Sequence, residues 1–193
     1  MSIKSLRTGY KGISLLAGNV PPGDFESLQT VIVTGSSQAE IDFTNIPQTY
    51  QHLQIRGIAR TTEPTVTRGD FRMRANGDTN SNYAWHLLIG DGGGSASAFS
   101  ATSQTFGRIG YTTHAGAASN ILGTFIIDIL DYANTSKNKT FRTLGGAELN
   151  GSGSVSYNSD LWMSTSAITS IKLYPAANNF DVNSHFALFG IRG

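Results

Sequence analysis

The stretch that decides the fold is the last one, Ala167–Gly193, which reads AITSIKLYPAANNFDVNSHFALFGIRG. Residues 168–174 predict a strand, Asn178-Asn179-Phe180-Asp181 a polar turn, and His185–Ile191 a second strand. In that second strand Phe186 and Leu188 point one way and Ala187, Phe189 and Ile191 the other. A strand apolar on both faces is expected to be covered on both. The chain is therefore expected to end on an inner strand of its own fold, as a complete compact domain with no tail.

Working outward, the same alternation recurs. Leu28–Val33 and Glu40–Phe43 predict strands. Tyr50–Ala59 sets Leu53, Ile55 and Gly57 against Gln54 and Arg56, and Phe71–Ala75 sets Phe71 and Met73 against Arg72 and Arg74. Tyr83–Ile89, Thr105–Tyr111, Ile121–Leu130, Lys139–Leu144 and Val155–Trp162 complete the set. Strands at this spacing, with no long amphipathic helix pattern, predict an all-β domain, a sandwich or barrel. Gly90–Ala98, GDGGGSASA, reads as a mobile surface loop: it lacks the Lys-Ser/Thr of a phosphate-binding loop and no helix pattern follows. Ser152–Ser156 reads as a turn.

Composition agrees. The chain has 193 residues, of which only 14% are charged, and 22 are glycine. This favours strands joined by tight turns. A net charge of +1 argues against nucleic-acid binding through a basic footprint. So little charge suggests a surface partly covered by partner subunits. No cysteine is present, which removes disulfides, thiolate metal sites and a cysteine nucleophile. No run approaches the roughly 20 apolar residues of a membrane helix, and Ile13–Ala17 is too short for the apolar part of a secretion signal.

Residues 1–26 differ from the rest. They carry Lys4, Arg7 and Lys11, a Pro21-Pro22 pair, and sparse apolar residues at Ile3, Leu6, Tyr10, Ile13, Leu15 and Leu16. Gly9 and Gly12 weaken any helix there. The expectation is an extended N-terminal arm over 1–26, with those six side chains as its partner-binding residues, followed by a β-sandwich over 27–193.

His52, His86, His114 and His185 form no metal-ligand spacing and read as structural histidines. There is no G-x-S-x-G elbow. Asp78-Thr79-Asn80-Ser81-Asn82 opens like a calcium loop, but Tyr83 stands where glycine is required and Ile89 where glutamate is required. An Asx turn is the expectation there, with a looser calcium site as the alternative. Asp128 and Asp131 read as edge or register devices on a strand. Tyr83, Trp85, Tyr157 and Trp162 are expected in the core or at its rim, the alternative being a sugar platform. No catalytic residue, metal or cofactor is expected.

Five blocks carry a resemblance: GISLLAGN at 12–19, AEIDFTNIPQTYQHLQIRGIAR at 39–60, RANGDTNSNYAWHLL at 74–88, IIDILDYANTSKNKTFRTLGG at 126–146, and ITSIKLYP with NFDVNSHFALFGIRG within 168–193. Together they resemble a family of small virion structural proteins of tailed phages, marine and cyanobacterial ones included. Its closing strand, F-x-L-Y-G-I-K, corresponds here to Phe186–Arg192. The resemblance implies a jelly-roll-like antiparallel β-sandwich on the particle, made in the host cytoplasm. Two roles follow from it. One is a non-enzymatic capsid decoration protein whose arm clamps the major capsid protein, as a homo-oligomer for which a trimer suits three-fold positions. The other is a tail-fibre or adhesin module attached to tail proteins, binding host glycans near Tyr83, Trp85, Asp78 and Asn80. Neither involves nucleic acid or membrane, and a sugar-cleaving enzyme, which would need two acidic residues converging in one groove, is the third class.

Overall fold

The computed structural model describes residues 24–193 and is all-β. Twelve strands follow in chain order: β1 Phe25–Ile32, β2 Ile41–Phe43, β3 His52–Thr61, β4 Arg68–Ala75, β5 Tyr83–Gly90, β6 Ala96–Gln104, β7 Gly107–His114, β8 Gly123–Ile129, β9 Lys139–Glu148, β10 Gly153–Trp162, β11 Ile171–Pro175 and β12 His185–Ile191. The long limb of the hydrogen-bonded network runs β1-β12-β3-β8-β9-β10-β5-β6, antiparallel throughout. The short limb runs β2-β11-β4-β7 and is also antiparallel. A parallel bridge between Arg60-Thr61 of β3 and Thr113-His114 of β7 joins the two limbs.

The limbs pack against each other like the layers of a sandwich. Leu53, Ile55 and Ala59 of β3, Phe125, Ile127 and Ile129 of β8 and Phe186 and Leu188 of β12 face Phe71 and Met73 of β4 and Leu173 of β11. At the centre the Phe71 and Phe125 rings lie 4.8 Å apart, and Phe125 and Phe186 5.8 Å. Such ring pairs add about 0.5–1.5 kcal/mol each beyond their burial. Gly57 makes room for this cluster, since a Cβ there would stand 2.5 Å from Phe125 Cζ and 2.5 Å from the His185 carbonyl oxygen.

The closing strand is an inner one, between β1 and β3. Strand β1 already begins at Phe25 and pairs from there with Ile191. The proposed arm residues Ile3, Leu6, Tyr10, Ile13, Leu15 and Leu16 lie outside the described residues.

Several expectations need correction. Gly90–Ala98 is not one long loop: β5 runs through Gly90, β6 starts at Ala96, and only residues 91–95 connect them. Strand β6 is an edge strand of mostly exposed residues, small apart from Phe99 and Gln104, so no regular apolar alternation marks it. Residues 153–156 are strand β10, the turn being confined to Asn150, Gly151 and Ser152. Asp128 sits on β8, flanked on both sides by β3 and β9, so it guards no edge; its Oδ1 accepts from Gln54 Nε2 at 2.7 Å. Asp131 lies beyond the strand, in a turn with φ of 48°.

Candidate docking face

Strand β10 has its alternation inverted. Ser154, Ser156, Asn158 and Asp160 point between the layers, while Val155 and Tyr157 point to solvent. Sandwich strands ordinarily do the reverse. The neighbouring strands align with it, so two rows of side chains cross the outer face of the long limb. One row reads Arg56, Ile126, Leu144, Tyr157, Leu88, Ala98 across β3, β8, β9, β10, β5 and β6. The next reads Ile58, Thr124, Gly146, Val155, Gly90, Ala96.

The first row is bulky from Ile126 to Leu88, and the second is small at Thr124, Gly146, Gly90 and Ala96, with Ile58 and Val155 as its larger members. Leu144, Leu88 and Tyr157 are 54%, 52% and 45% exposed, and Val155 62%. Ile58 and Ile126 extend the patch toward β3. An apolar band of this kind is a candidate interaction surface. Polar rows border it: Asp128, Arg142, Ser159 and His86 on one side, Glu148 on the other. Beside the small row lies a groove of about 490 Å³, lined by Gly90, Thr124, Gly146, Val155, Asp91 and Glu148 among others. Both carboxylates are partly engaged by their own turns. Glu148 Oε1 accepts from the N–H of Asn150 at 2.9 Å, and Asp91 Oδ1 from that of Gly93 at 3.0 Å.

Beneath the band the interior is polar. Asp160, Asn158, Ser156 and Thr143 are essentially buried. Neither oxygen of Asp160 has a hydrogen-bond partner, nor do Asn158 Oδ1, Ser156 Oγ and Thr143 Oγ1. Burial pushes the Asp160 carboxyl well above its ordinary value, although the Arg108 backbone N–H, nearby but outside hydrogen-bond geometry, and its guanidinium act the other way. Strand β7 crosses close above this column because it carries glycine at 107 and 110. A Cβ at Gly110, where φ is 106°, would stand 3.2 Å from Ser156 Oγ.

The residues named for a sugar platform are placed elsewhere. Tyr83 is fully buried, and its hydroxyl accepts the Ala75 N–H at 3.0 Å. Trp85 is also buried, with Arg108 stacked 5.0 Å from its ring centre. Trp162 is buried as well, and only Tyr157 of the four aromatics faces solvent. Asp78 and Asn80 form an Asx turn: Asp78 Oδ1 accepts from the Asn80 N–H at 2.9 Å, and Oδ2 from Trp162 Nε1 at 2.7 Å and Asn82 Nδ2 at 2.8 Å. Both oxygens of Asp78 thus accept hydrogen bonds from neighbouring donors. Among the described residues no cluster of three or more His, Cys, Asp or Glu side chains is arranged to hold a metal.

The histidines divide. His52 Nδ1 accepts the Asp131 N–H at 2.9 Å, and His86 is exposed on the outer face. His114 is buried with neither ring nitrogen partnered, and burial lowers its pKa.

The exposed apolar band, which sequence reading missed, had a signal in the chain. In Ser154–Asp160, SVSYNSD, every second residue is small and polar or acidic and the intervening ones include Val155 and Tyr157. The period is plain, but the ordinary assumption assigns the apolar members to the core. No protein-family model matches the chain, and neither does any curated protein or any solved structure.

Proposed function

We propose that this chain is a non-enzymatic virion structural protein of the tailed-phage type, a capsid decoration protein that binds the major capsid protein through residues 1–26. The observation that carries the reading is the exposed apolar band on the outer face, which suits a domain that works covered by other protein. Strand order supports the finer fold assignment, a jelly roll. β1-β12-β3-β8 lies against β2-β11-β4-β7, the interleaving of two Greek keys, and the hairpins β5-β6 and β9-β10 widen the first sheet. Jelly rolls serve in viral shells and in lectins alike, so fold supports the class and the face supports assembly.

The test is where the protein sits on purified virions, read by electron cryo-microscopy, together with capsid binding by a chain lacking residues 1–20. Density spread over the shell, lost with the truncation, is the expected result. Density confined to the tail would replace decoration with the tail-fibre reading, for which Tyr157 beside the groove is the favourable feature. Normal decoration by the truncated chain would sink the arm as the attachment.

A further inference from the structure

We propose that the apolar band is covered by the same band of a second copy of this chain, packed face to face about a two-fold axis that runs along the rows. This rests on the reading that the face is one covered by protein, and it names the protein.

The argument is the symmetry of the two rows. A two-fold axis lying in the interface, perpendicular to the strands and midway between the rows, sets each strand antiparallel over its own counterpart. It therefore places the bulky row of one copy on the small row of the other. Leu144 then meets the partner's Gly146, Leu88 the partner's Gly90, Ile126 the partner's Thr124, and Tyr157 the partner's Val155. Leu144 on Gly146 and Leu88 on Gly90 are large on small, Ile126 on Thr124 and Tyr157 on Val155 less so, while at the two ends Arg56 meets Ile58 and Ala98 meets Ala96; the centre has the self-complementarity an isologous contact requires. The groove of about 490 Å³ beside the small row is the space the bulky row would enter.

Charge follows the same operator. On β9 the outward positions run Arg142, Leu144, Gly146, Glu148. Reversing the strand about its centre sets Arg142 of each copy over Glu148 of the other, twice per dimer. Opposite charges at a rim select register and partner more than they add affinity.

Six strands about 4.8 Å apart and four rows about 6.8 Å apart outline a face of about 24 by 20 Å. That is at the low end for specific interfaces, so the dimer is expected to dissociate on dilution. The contact is two-fold, and a trimer at three-fold positions would have to form through a different surface.

The experiment is sedimentation velocity of the full chain over a concentration series, with circular dichroism to check folding. The wild type is expected to shift from monomer to dimer. Leu144→Asp and Gly90→Trp are each expected to weaken dimerisation about tenfold or more. The second variant is the cleaner, because a Cβ at Gly90 meets nothing within 4 Å in its own chain. Arg142→Glu alone and Glu148→Arg alone set like charges opposite one another. Mixing the two variant chains restores both pairs, and heterodimers are expected.

A chain that stays monomeric at all concentrations overturns the proposal, as does a dimer indifferent to both Leu144→Asp and Gly90→Trp. Mixing without rescue overturns the register. Capsid binding by the dimer-deficient variants is scored separately. Binding through this face by a monomeric chain would leave the assembly reading standing and assign the face to another protein.

Discussion

Trp162 donates its indole N–H to Asp78 Oδ2 at 2.7 Å, across 84 positions of sequence. One bond thereby ties the β4–β5 connection to the end of β10. Asn82 Nδ2 and the Asn80 N–H converge on the same carboxylate. Burial works against the Asp78 charge, but these donors outweigh it and hold its pKa below the ordinary value. A depressed folded-state pKa means the stabilisation is present above the unfolded pKa and is lost as pH falls through the folded one. Asp78→Ala is expected to cost about 2 kcal/mol at pH 7, since charge-assisted bonds are worth more than neutral ones and the Trp162 donor loses its acceptor. Urea unfolding at pH 7 and pH 3 checks this: the gap between variant and wild type should shrink at the lower pH. An unchanged gap would mean the carboxylate charge contributes nothing.

Asp160 predicts the opposite pH dependence. Its folded-state pKa is raised, chiefly by burial, so the folded protein holds a proton that the unfolded chain has released. Stability from this group is whole below the unfolded pKa of about 3.9 and declines as pH rises toward the folded value. Asp160→Asn keeps the shape and removes the titration. The variant is expected to be the more stable at pH 8, by about 1–3 kcal/mol, with the difference closing toward pH 4. Parallel stability curves for the two proteins across that range would refute the assignment.

These two carboxylates show what the sequence made legible. Asp78 sits in DTNSN, whose Asx turn follows from spacing alone, and the structure has it. Strands such as β8 and β12 announce themselves through apolar residues at inward positions, Phe125, Ile127 and Ile129 in one and Phe186 and Leu188 in the other. Asp160 does not announce itself. In β10 the polar residues are the inward ones, and only the pairing with β9 and β5 tells which face is in. The docking face was illegible for the same reason: its members come from strands far apart in sequence and form rows only through register. Strand β6 was hidden by its exposure at an edge, where burial imposes no pattern and its one large apolar residue, Phe99, stands alone.

Gly57 sits where β3 passes under the aromatic centre, and its missing side chain is filled by the Phe125 ring. A methyl group there meets a ring carbon and a backbone oxygen at 2.5 Å, and the backbone oxygen belongs to the pairing of β12 with β3. Gly57→Ala is therefore expected to destabilise by about 1–3 kcal/mol or more through overpacking. Thermal unfolding measures this directly. The double variant Gly57→Ala with Phe125→Leu should recover part of the loss if the ring is the main obstacle. No recovery would place the strain on the His185 carbonyl instead.

Arg60 lies near the end of β3 between the buried Ala59 and Thr61, and it is only 8% exposed. Its guanidinium donates to the carbonyl oxygens of Ala115, Ala117, Ala118 and Ile121. The Asp181 carboxylate lies 3.8 Å from Nε. The Gly116 N–H also donates to the Glu63 carbonyl at 3.2 Å, and Arg60 supplies donors to four carbonyls of residues 115–121. A planar fork with five donors can serve several carbonyls at once, and an ammonium cannot reproduce that geometry. Arg60→Lys is expected to lose about 2–3 kcal/mol and Arg60→Met more, because carbonyls turned inward lose their donors. Limited proteolysis separates local from global effects. Cleavage within 115–121 should accelerate in Arg60→Lys before the rest of the chain becomes sensitive. Uniform sensitivity along the chain would instead mean that Arg60 supports the junction of the two limbs at β3 and β7 rather than the loop.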